Sequence, residues 1–479
     1  MPAAIRNRSN FGELPKTSVT TIRPTVGGYH PRDTSHEHPM KPTRRALLAA
    51  GLLSLSRPTM LVSATASPTD PLVQPKANAR YLAPVATGSK SGIGWPNAAS
   101  IWDLDNMIAA AGPGGTVYIR ADAGSYFVRA GRVAIKTGGT PGSPVTIVGV
   151  DQRLAPMNAS FVGSRTAWTL PEDPETVTNV KNWLAGGDVF VLRAGADYLT
   201  FRNLDFQSTG QPFHLTASTH RGITVSDCKG YNFQRFFEHD PDTSHVDTIL
   251  RNITGTGFSK TAIRVRGDSR NVLLEDITLN SGRQDGHNFA TGIECDGTAH
   301  DIVMRRINVS NCHDTHNSEP GRFWNADGFA SERGNYNIRR EDCMSSGNTD
   351  AGYDDKGTNI TNVNCSGIGN CVNFKLWGST TNINCSAMNP KRRGGSGEQI
   401  QYYTYGGEGP TDPGANVLIR GGVISDNDRR TMIFVAEAYN SVFQIDGVSI
   451  IHHPGAPLQT QKKGSGNSFL FGPAPGTQQ

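Results

Sequence analysis

From about residue 197 onward, hydrophobic and polar residues alternate in short runs, and most runs end at asparagine, aspartate or glycine. Alternation with a period of two predicts strands that bury one face. The segments NVLLEDITLNSG, DIVMRRINVSNC, NYNIRREDCMSSGN and NITNVNCSGIGN share this layout. Because long amphipathic helical patterns are scarce, the chain is predicted to be all-β.

The strand pattern also repeats at a fixed interval. Cys343, Cys365 and Cys385 recur in one register, 22 and then 20 residues apart, and each follows an aspartate or asparagine. A period in this range with three short strands predicts a parallel β-helix, whose coils bury their apolar faces only by stacking. A leucine-rich repeat is disfavoured because no L-x-x-L-x-L framework is present. The three cysteines are predicted to be free thiols stacked in the interior.

One segment ahead of the repeats has helical spacing instead. Ile101, Leu104 and Ile108 fall on one face of a helix, and Ser100 can cap its first turn. A Gly-Pro-Gly-Gly run ends the pattern. We therefore expect a short helix near residues 101–111 that caps the N-terminal end of the β-helix.

The N-terminal region has the features of an export signal. Arg44 and Arg45 precede an apolar run that is too short to span a bilayer, and an A-x-A type cleavage site follows at Ala66. Residues 40–66 are therefore predicted to be a twin-arginine signal, which directs a folded protein to the periplasm or outside the cell. The alternative is a short buried helix.

The predicted domain organisation follows from these patterns. The predicted segments are 1–39, a disordered extension or a mis-assigned start before Met40; 40–66, the export signal; 67–79, a linker; 80–455, the β-helix; and 456–479, a flexible tail rich in Gly, Pro and Gln.

Composition restricts the class of partner. The net charge is only +4 and charged residues make up 18% of the chain, so nucleic-acid binding has no support. We expect no membrane span and a monomer. A mildly basic chain can still bind an acidic polymer through local basic patches. The seven cysteines form no C-x-x-C pair, which argues against a zinc ribbon.

Two neighbouring segments, NADGFA and NTDAGYDDKG, repeat a carboxylate beside glycine and an aromatic residue. When the coils are aligned by their aromatic residue, that position is predicted to point inward. The position after it is predicted to point outward, because side chains alternate along a strand. The inward positions are Ile293, Phe329, Tyr353 and Phe374, and the outward positions are Glu294, Ala330, Asp354 and Lys375.

The same alignment brings three carboxylates together. Asp327 and Asp350 fall at the turn that enters the strand, and coils about 4.8 Å apart place them close to Asp354. Carboxylates this close repel one another unless a cation lies among them, and hard oxygen ligands with flexible spacing suit Ca²⁺. The alternative is that the aspartates only cap turns.

The segments WNADGFA, GNTDAGYD and GNCVNFKLWG, in that order, resemble the motifs of the pectate lyases of polysaccharide lyase family 9. The resemblance implies a right-handed parallel β-helix with Ca²⁺ as cofactor. It also implies that Asp327, Asp350 and Asp354 are calcium ligands and that Lys375 is the catalytic base. The expected activity is cleavage of a pectate-like polyuronate by β-elimination.

The chain departs from the family pattern at Ala351, where a second consecutive aspartate is expected. Glu294 and Asp355 are candidate ligands that would compensate for the missing carboxylate. Arg392 and Arg393, in the NPKRRGGSG loop, are candidates for binding substrate carboxylates, although a solvated basic loop would have the same sequence.

Aromatic residues and rival activities complete the set of expectations. Tyr402, Tyr403 and Tyr405 are candidate surfaces for stacking sugars. Other functions remain open: a β-helix glycoside hydrolase, a C5-epimerase acting on a polyuronate, or a catalytically impaired carbohydrate-binding β-helix. The hydrolase is disfavoured because the G-H-G and R-I-K segments of polygalacturonases are missing, and the binding protein is favoured by Ala351.

Overall fold

A computed structural model describes residues 75–76, 78–129, 131–179, 186–216, 218–285, 290–314 and 323–473. The predicted extension 1–39, the predicted export signal 40–66 and most of the predicted linker 67–79 lie outside the described residues. Within the described ranges, no helix is both long enough and apolar enough to cross a membrane.

The helical structure is confined to the N-terminal end of the fold. Its segments in the described chain are the 3₁₀ turns Trp95–Asn97 and Ile101–Asp103 and the α-helix Leu104–Ala111. The Ser100 side chain accepts a hydrogen bond from the Trp102 amide at 3.3 Å, which satisfies one of the free donors at a helix start. Leu104 and Ile108 are fully buried. The predicted helix near residues 101–111 is confirmed.

Twelve parallel strands in the described chain pair in sequence order and form what we call the front sheet. Its strands are Val133–Ile135, Asp188–Leu192, Gln211–Leu215, Phe237–His239, Ile263–Val265, Ile293–Cys295, Phe329–Ser331, Ala351–Asp355, Val372–Leu376, Ile400–Tyr405, Met432–Glu437 and Gln459–Lys462. Each strand belongs to the next coil of the chain, so sequence order is also stacking order.

The remaining coil walls form what we call the back sheet, with 23 strands among the described residues. Its strands are Ala79–Leu82, Thr116–Arg120, Tyr126–Phe127, Val145–Val150, Ala159–Val162, Leu199–Arg202, Leu204–Gln207, Thr219–Arg221, Thr224–Phe233, Ser244–Phe258, Arg270–Asn280, His300–Ser310, Tyr336–Glu341, Met344–Ser346, Thr358–Val363, Ser366–Ile368, Ser379–Ile383, Ser386–Met388, Asn416–Arg420, Val423–Asp426, Val442–Asp446, Ser449–His452 and Ser468–Phe471. A further parallel pair joins Thr178–Asn179 to Gln284–Asp285. Parallel pairing of successive coils in both sheets confirms the predicted parallel β-helix.

The interior of the coils contains the two stacks that the sequence predicts. Phe329, Tyr353, Phe374 and Tyr402 stack nearly parallel, with successive ring centroids 5.1, 4.7 and 4.8 Å apart. All seven cysteines fall within the described residues, and each is a buried free thiol. The predicted stack at residues 343, 365 and 385 is confirmed, because the back-sheet strands that follow these cysteines pair in register.

Aspartate and asparagine before each stacked cysteine have a backbone role. Asp342, Asn364 and Asn384 adopt left-handed φ values of 53°, 53° and 52°. Short polar side chains tolerate this conformation better than most residues do. The Asn364 amide also donates to the Asp342 carboxylate of the preceding coil at 3.1 Å. The turn therefore repeats with a hydrogen bond between coils.

The β-helix continues past residue 455, where the sequence predicted a flexible tail from 456 to 479. Gln459–Lys462 pairs with Met432–Glu437, and Ser468–Phe471 pairs with Val442–Asp446. The predicted boundary lies too early because glycine and proline in the turns mask two short strands. Residues 474–479 lie outside the described chain.

A segment that we call the strap, residues 164–179, crosses several coils beside the front sheet. Near its start, Arg165 donates to the Gln284 side chain at 2.6 Å. Near its end, Glu175 accepts from Arg393. The strap therefore bridges parts of the chain that are far apart in sequence.

Candidate functional site

Three aspartates meet at the edge of the front sheet, as the sequence predicts. Asp327 lies in the turn before the strand Phe329–Ser331, while Asp350 and Asp354 belong to the next coil. One carboxylate oxygen from each aspartate lies within 4.8 Å of the other two. All three side chains are buried, with residue exposures of 4%, 0% and 3%. We refer to these residues as the acidic triad.

Lys375 lies one coil beyond the acidic triad and faces it. Ala330, Asp354 and Lys375 are aligned across three paired strands, which confirms the predicted register. The Lys375 Nζ is 2.7 Å from Asp350 Oδ2 and 3.7 Å from Asp354 Oδ2. Lys356 adds a second ammonium group, with its Nζ 3.5 Å from Asp354 Oδ2 and 2.6 Å from Glu332 Oε1, so two lysines compensate the acidic triad.

Burial and the charge of neighbouring carboxylates raise the pKa values of Asp327 and Asp350. Burial raises the pKa of Asp350 to about 6, against the opposing charge of Lys375. Burial, reinforced by Asp350 and Asp354, holds the pKa of Asp327 well above its usual range. Burial lowers the pKa of Lys375, but the three carboxylates outweigh burial and raise it. The amine is therefore held protonated.

The acidic triad retains oxygen atoms that no protein group satisfies. The Ala351 amide donates to Asp327 Oδ1 at 2.8 Å. Among the described residues, Asp350 Oδ1 and Asp354 Oδ1 are buried without a hydrogen-bond partner. Buried polar atoms are normally paired, and a cation with hard oxygen ligands would pair both of these. The donor set therefore fits Ca²⁺.

Two candidate ligands from the sequence do not join the acidic triad. Asp355 points into the coil and accepts from both terminal nitrogens of Arg340, at 2.8 and 2.9 Å. Glu294 accepts from Arg264 at 2.9 and 3.0 Å. Each carboxylate is satisfied by its own arginine, so neither compensates for the missing aspartate at Ala351.

The basic loop after Lys375 divides between two environments. Arg393 contacts Glu175 of the strap and donates to the Gly369 carbonyl at 2.9 Å, so the fold already uses its guanidinium. Arg392 is exposed and donates to the Gly395 carbonyl. The structure thus leaves Arg392, rather than Arg393, accessible to a ligand.

A cavity of about 610 Å³ adjoins Lys375 on the side of the later coils. Its lining includes Phe323, Trp377, Tyr403 and Lys462. The Lys375 ammonium lies 4.8 Å from the Phe323 ring centroid and 5.6 Å from that of Trp377. Glu398 and Glu437 also line the cavity and pair with Lys462 and Lys463, so the aromatic walls and the Lys375 ammonium are the features that suit a charged sugar chain.

Sequence reasoning identified only part of this cavity. Tyr403 lines it, whereas Tyr402 is fully buried in the aromatic stack and is unavailable for sugars. Tyr405 packs against Trp377, with ring centroids 4.8 Å apart. Trp377 was missed, although its position two residues after Lys375 places it on the same face of the front sheet.

Neither a protein-family model nor a curated protein matches this sequence. Solved structures that resemble the chain include the A-module of the mannuronan C-5 epimerase AlgE6 from Azotobacter vinelandii, at 13% identity over 78% of this chain and 94% of that chain, with a TM-score of 0.41. The catalytic domain of a GH87 alpha-1,3-glucanase matches at 12% identity over 84% of this chain and 70% of that one, with a TM-score of 0.46. Pectate lyase Pel9A matches at 14% identity over 83% and 81%, with a TM-score of 0.34. At sequence identities this low, the matches bear on the fold alone. The function is argued from the chemistry of the site.

Proposed function

We propose that this protein is a calcium-dependent polysaccharide lyase that cleaves a pectate-like polyuronate by β-elimination. The observation that carries the proposal is the placement of Lys375 Nζ 2.7 Å from Asp350, between the buried acidic triad and an aromatic cavity. Elimination next to a carboxylate needs both a base and a cation site, and these residues supply both.

The acidic triad would hold the ion, and Lys375 would move the proton. Ca²⁺ held by the acidic triad would neutralise a substrate carboxylate and so would make the neighbouring C5 proton more acidic. The neutral Lys375 amine takes that proton, the C5 electron pair forms the C4–C5 double bond, and the C4–O glycosidic bond breaks. The departing sugar oxygen receives a proton from solvent.

The carboxylates that face Lys375 explain why the base depends on the cation site. Asp350 and Asp354 hold the ammonium protonated, and a protonated amine cannot accept the C5 proton. If Asp350 and Asp354 were bound to a cation, they would stabilise the protonated form of Lys375 less strongly. Lys375 is therefore inactive as a base until the acidic triad is occupied.

The test is incubation with a panel of polyuronates, with Ca²⁺ or with a chelator, while ultraviolet absorbance of the unsaturated product is recorded. We expect absorbance to rise on at least one polyuronate, only with Ca²⁺. A neutral glucan is the matched control substrate and should give no signal.

Other outcomes assign the rival activities. New reducing ends without absorbance would identify a glycoside hydrolase. Inversion at C5 without chain cleavage, seen by nuclear magnetic resonance, would identify an epimerase. Binding without either product would identify a carbohydrate-binding protein, and each of these three results would overturn the lyase assignment.

A further inference from the structure

A second charged cluster on the front sheet has the opposite sign to the acidic triad. It consists of Arg235, Lys260 and Arg264, which we call the basic triad. Arg235 Nε lies 2.7 Å from Glu238 Oε2, and Arg264 Nη1 lies 3.7 Å from the same oxygen. The two arginines therefore share one carboxylate, and Lys260 brings a third positive charge to the cluster.

The basic triad occupies the same positions in the coil as the acidic triad. The core residues of five successive coils pair in register, and they are Phe237, Ile263, Ile293, Phe329 and Tyr353. In both triads the first member lies two residues before the core residue of one coil. The second lies three residues before the core residue of the next coil, and the third directly follows it. The two triads are thus built on one scaffold, three coils apart.

Two groups of the basic triad lack partners among the described residues. Arg235 is 6% exposed, and its Nη1 atom is buried without a hydrogen-bond partner. The Lys260 ammonium makes no hydrogen bond and no ion pair in the described chain. Burial, and then Arg235 and Arg264, lower the pKa of Lys260, although Glu238 and Glu294 act in the opposite direction. An incoming anion would satisfy both groups.

The surface between the two triads does not repel an anionic chain. Arg264, Glu294, Ala330 and Asp354 align across the four paired strands. Glu294 is neutralised by the two-nitrogen contact with Arg264, and Ala330 carries no charge. Three coils at about 4.8 Å each separate the triads by about 14 Å, a distance that a chain of four or more linked sugars spans and a trimer does not.

We propose that the basic triad binds a carboxylate of the polyuronate chain at a position remote from the cleaved bond. This inference rests on the proposed function for the identity of the polymer. It assigns Lys260 and Arg235 to substrate binding and predicts that affinity depends on chain length. The contact holds the chain along the front sheet, over the coils that lead to the acidic triad.

The test compares Lys260→Met with wild type on a long polyuronate and on a trimer. Lys260 is chosen because its loss breaks no hydrogen bond or ion pair within the described protein. We expect KM for the polymer to rise about tenfold, the effect of losing one charge-assisted contact, with kcat unchanged. KM for the trimer should not change. Lys260→Arg should restore polymer KM, since it keeps the charge.

The control variant is Lys229→Met, which removes an exposed lysine from the back sheet and should leave polymer KM unchanged. An unchanged polymer KM in Lys260→Met would overturn the inference and leave the lyase assignment intact. An equal rise in KM for the polymer and the trimer, or a lowered Tm, would show that Lys260 has a structural role. Either result would also overturn the inference.

A binding measurement separates this inference from the proposed function. Calorimetry with polygalacturonate in chelator should show weaker binding by Lys260→Met than by wild type, and a fully methyl-esterified polymer should show no such difference. If wild type makes no unsaturated product but binds polygalacturonate through Lys260, the lyase assignment fails and the basic triad stands. If both polymers bind equally to both proteins, the basic triad is not an anion site.

Discussion

At the scale of single residues, Lys375 has a structural duty as well as a proposed chemical one. Its ammonium lies against the buried acidic triad, closest to Asp350, while Lys356 contacts Asp354. Lys375→Met should destabilise the metal-free protein by roughly 3–5 kcal/mol, because removing one partner leaves buried charge uncompensated. Calcium should restore most of the loss. Calorimetry with chelator and with Ca²⁺ checks this, and a Ca²⁺-induced rise in Tm no larger than that of wild type would contradict it.

The chemical duty of Lys375 is tested by a charge-preserving change. Lys375→Arg keeps a cation beside Asp350 but cannot release its proton, because guanidinium stays charged. We expect kcat to fall by at least about 100-fold, the scale of a lost general base, while Ca²⁺ affinity and Tm are maintained. Retention of most of the rate would make Lys375 only a partner of Asp350 and would place the base elsewhere.

Ala351 occupies the position at which the pectate lyase pattern has a second consecutive aspartate. It is fully buried and lies two residues before Tyr353, as Asp327 lies two residues before Phe329. Ala351→Asp should tighten Ca²⁺ binding about tenfold, since added ligand charge raises affinity. It should also lower the Tm in chelator, because a fourth carboxylate adds repulsion. Titration calorimetry and thermal unfolding measure the two effects, and Ala351→Ser is the neutral control.

The positions of the site residues were predictable from sequence where alternation along one strand decided them. The acidic triad and Lys375 follow from the register set by Phe329, Tyr353 and Phe374. Arg393 was different, because its partner Glu175 is 218 residues away and no local pattern connects them. Asp355 follows directly after the outward-facing Asp354, so alternation turns it inward to Arg340.

At the scale of elements, the aromatic stack fixes the strands that present the site. Its two tyrosines differ in one contact. Tyr353 Oη donates to the Cys343 carbonyl at 2.8 Å, whereas Tyr402 Oη is buried with no partner among the described residues. Tyr353→Phe should cost about 1 kcal/mol, and Tyr402→Phe should be neutral or stabilising. Denaturant unfolding of both variants measures the two changes in the free energy of unfolding. Equal losses of stability in the two variants would contradict this prediction.

Elements were predictable wherever asparagine and aromatic residues repeat together. The last two strands, Gln459–Lys462 and Ser468–Phe471, have neither signal and were missed. Their pairing depends on the edges of strands already in place rather than on their own pattern. These two strands therefore form because they pair with neighbouring coils, and a short polar sequence does not reveal such pairing.

At the scale of the whole molecule, buried histidines make stability depend on pH. His245 is fully buried, pairs in register with His220, and packs against His239 with ring centroids 5.1 Å apart. Burial, and then His220, lower the pKa of His245 to about 3. His245 binds a proton near pH 6.5 in the unfolded chain but remains neutral at that pH in the folded chain. The free energy of unfolding therefore falls as pH drops from about 6.5 towards 3.

The expected loss from His245 alone is roughly 3 kcal/mol between pH 7 and pH 4. His245→Phe removes the titrating group and keeps an aromatic ring beside Phe237, so its Tm should fall less on acidification than that of wild type. His453→Phe, in a partly exposed turn, serves as the control. Parallel decreases in Tm for wild type and His245→Phe would show that His245 does not contribute.

The strap changes how such a solenoid comes apart. In a stack whose coils contact only their neighbours, melting can begin at either end and spread one coil at a time. Here Arg165 is fixed to Gln284, and Glu175 is fixed to Arg393, so early and late coils are joined by a tie outside the stack. Fraying from one end must break that tie before it reaches the acidic triad. The middle coils should therefore unfold as one cooperative block, with the acidic triad inside the last part to lose its order.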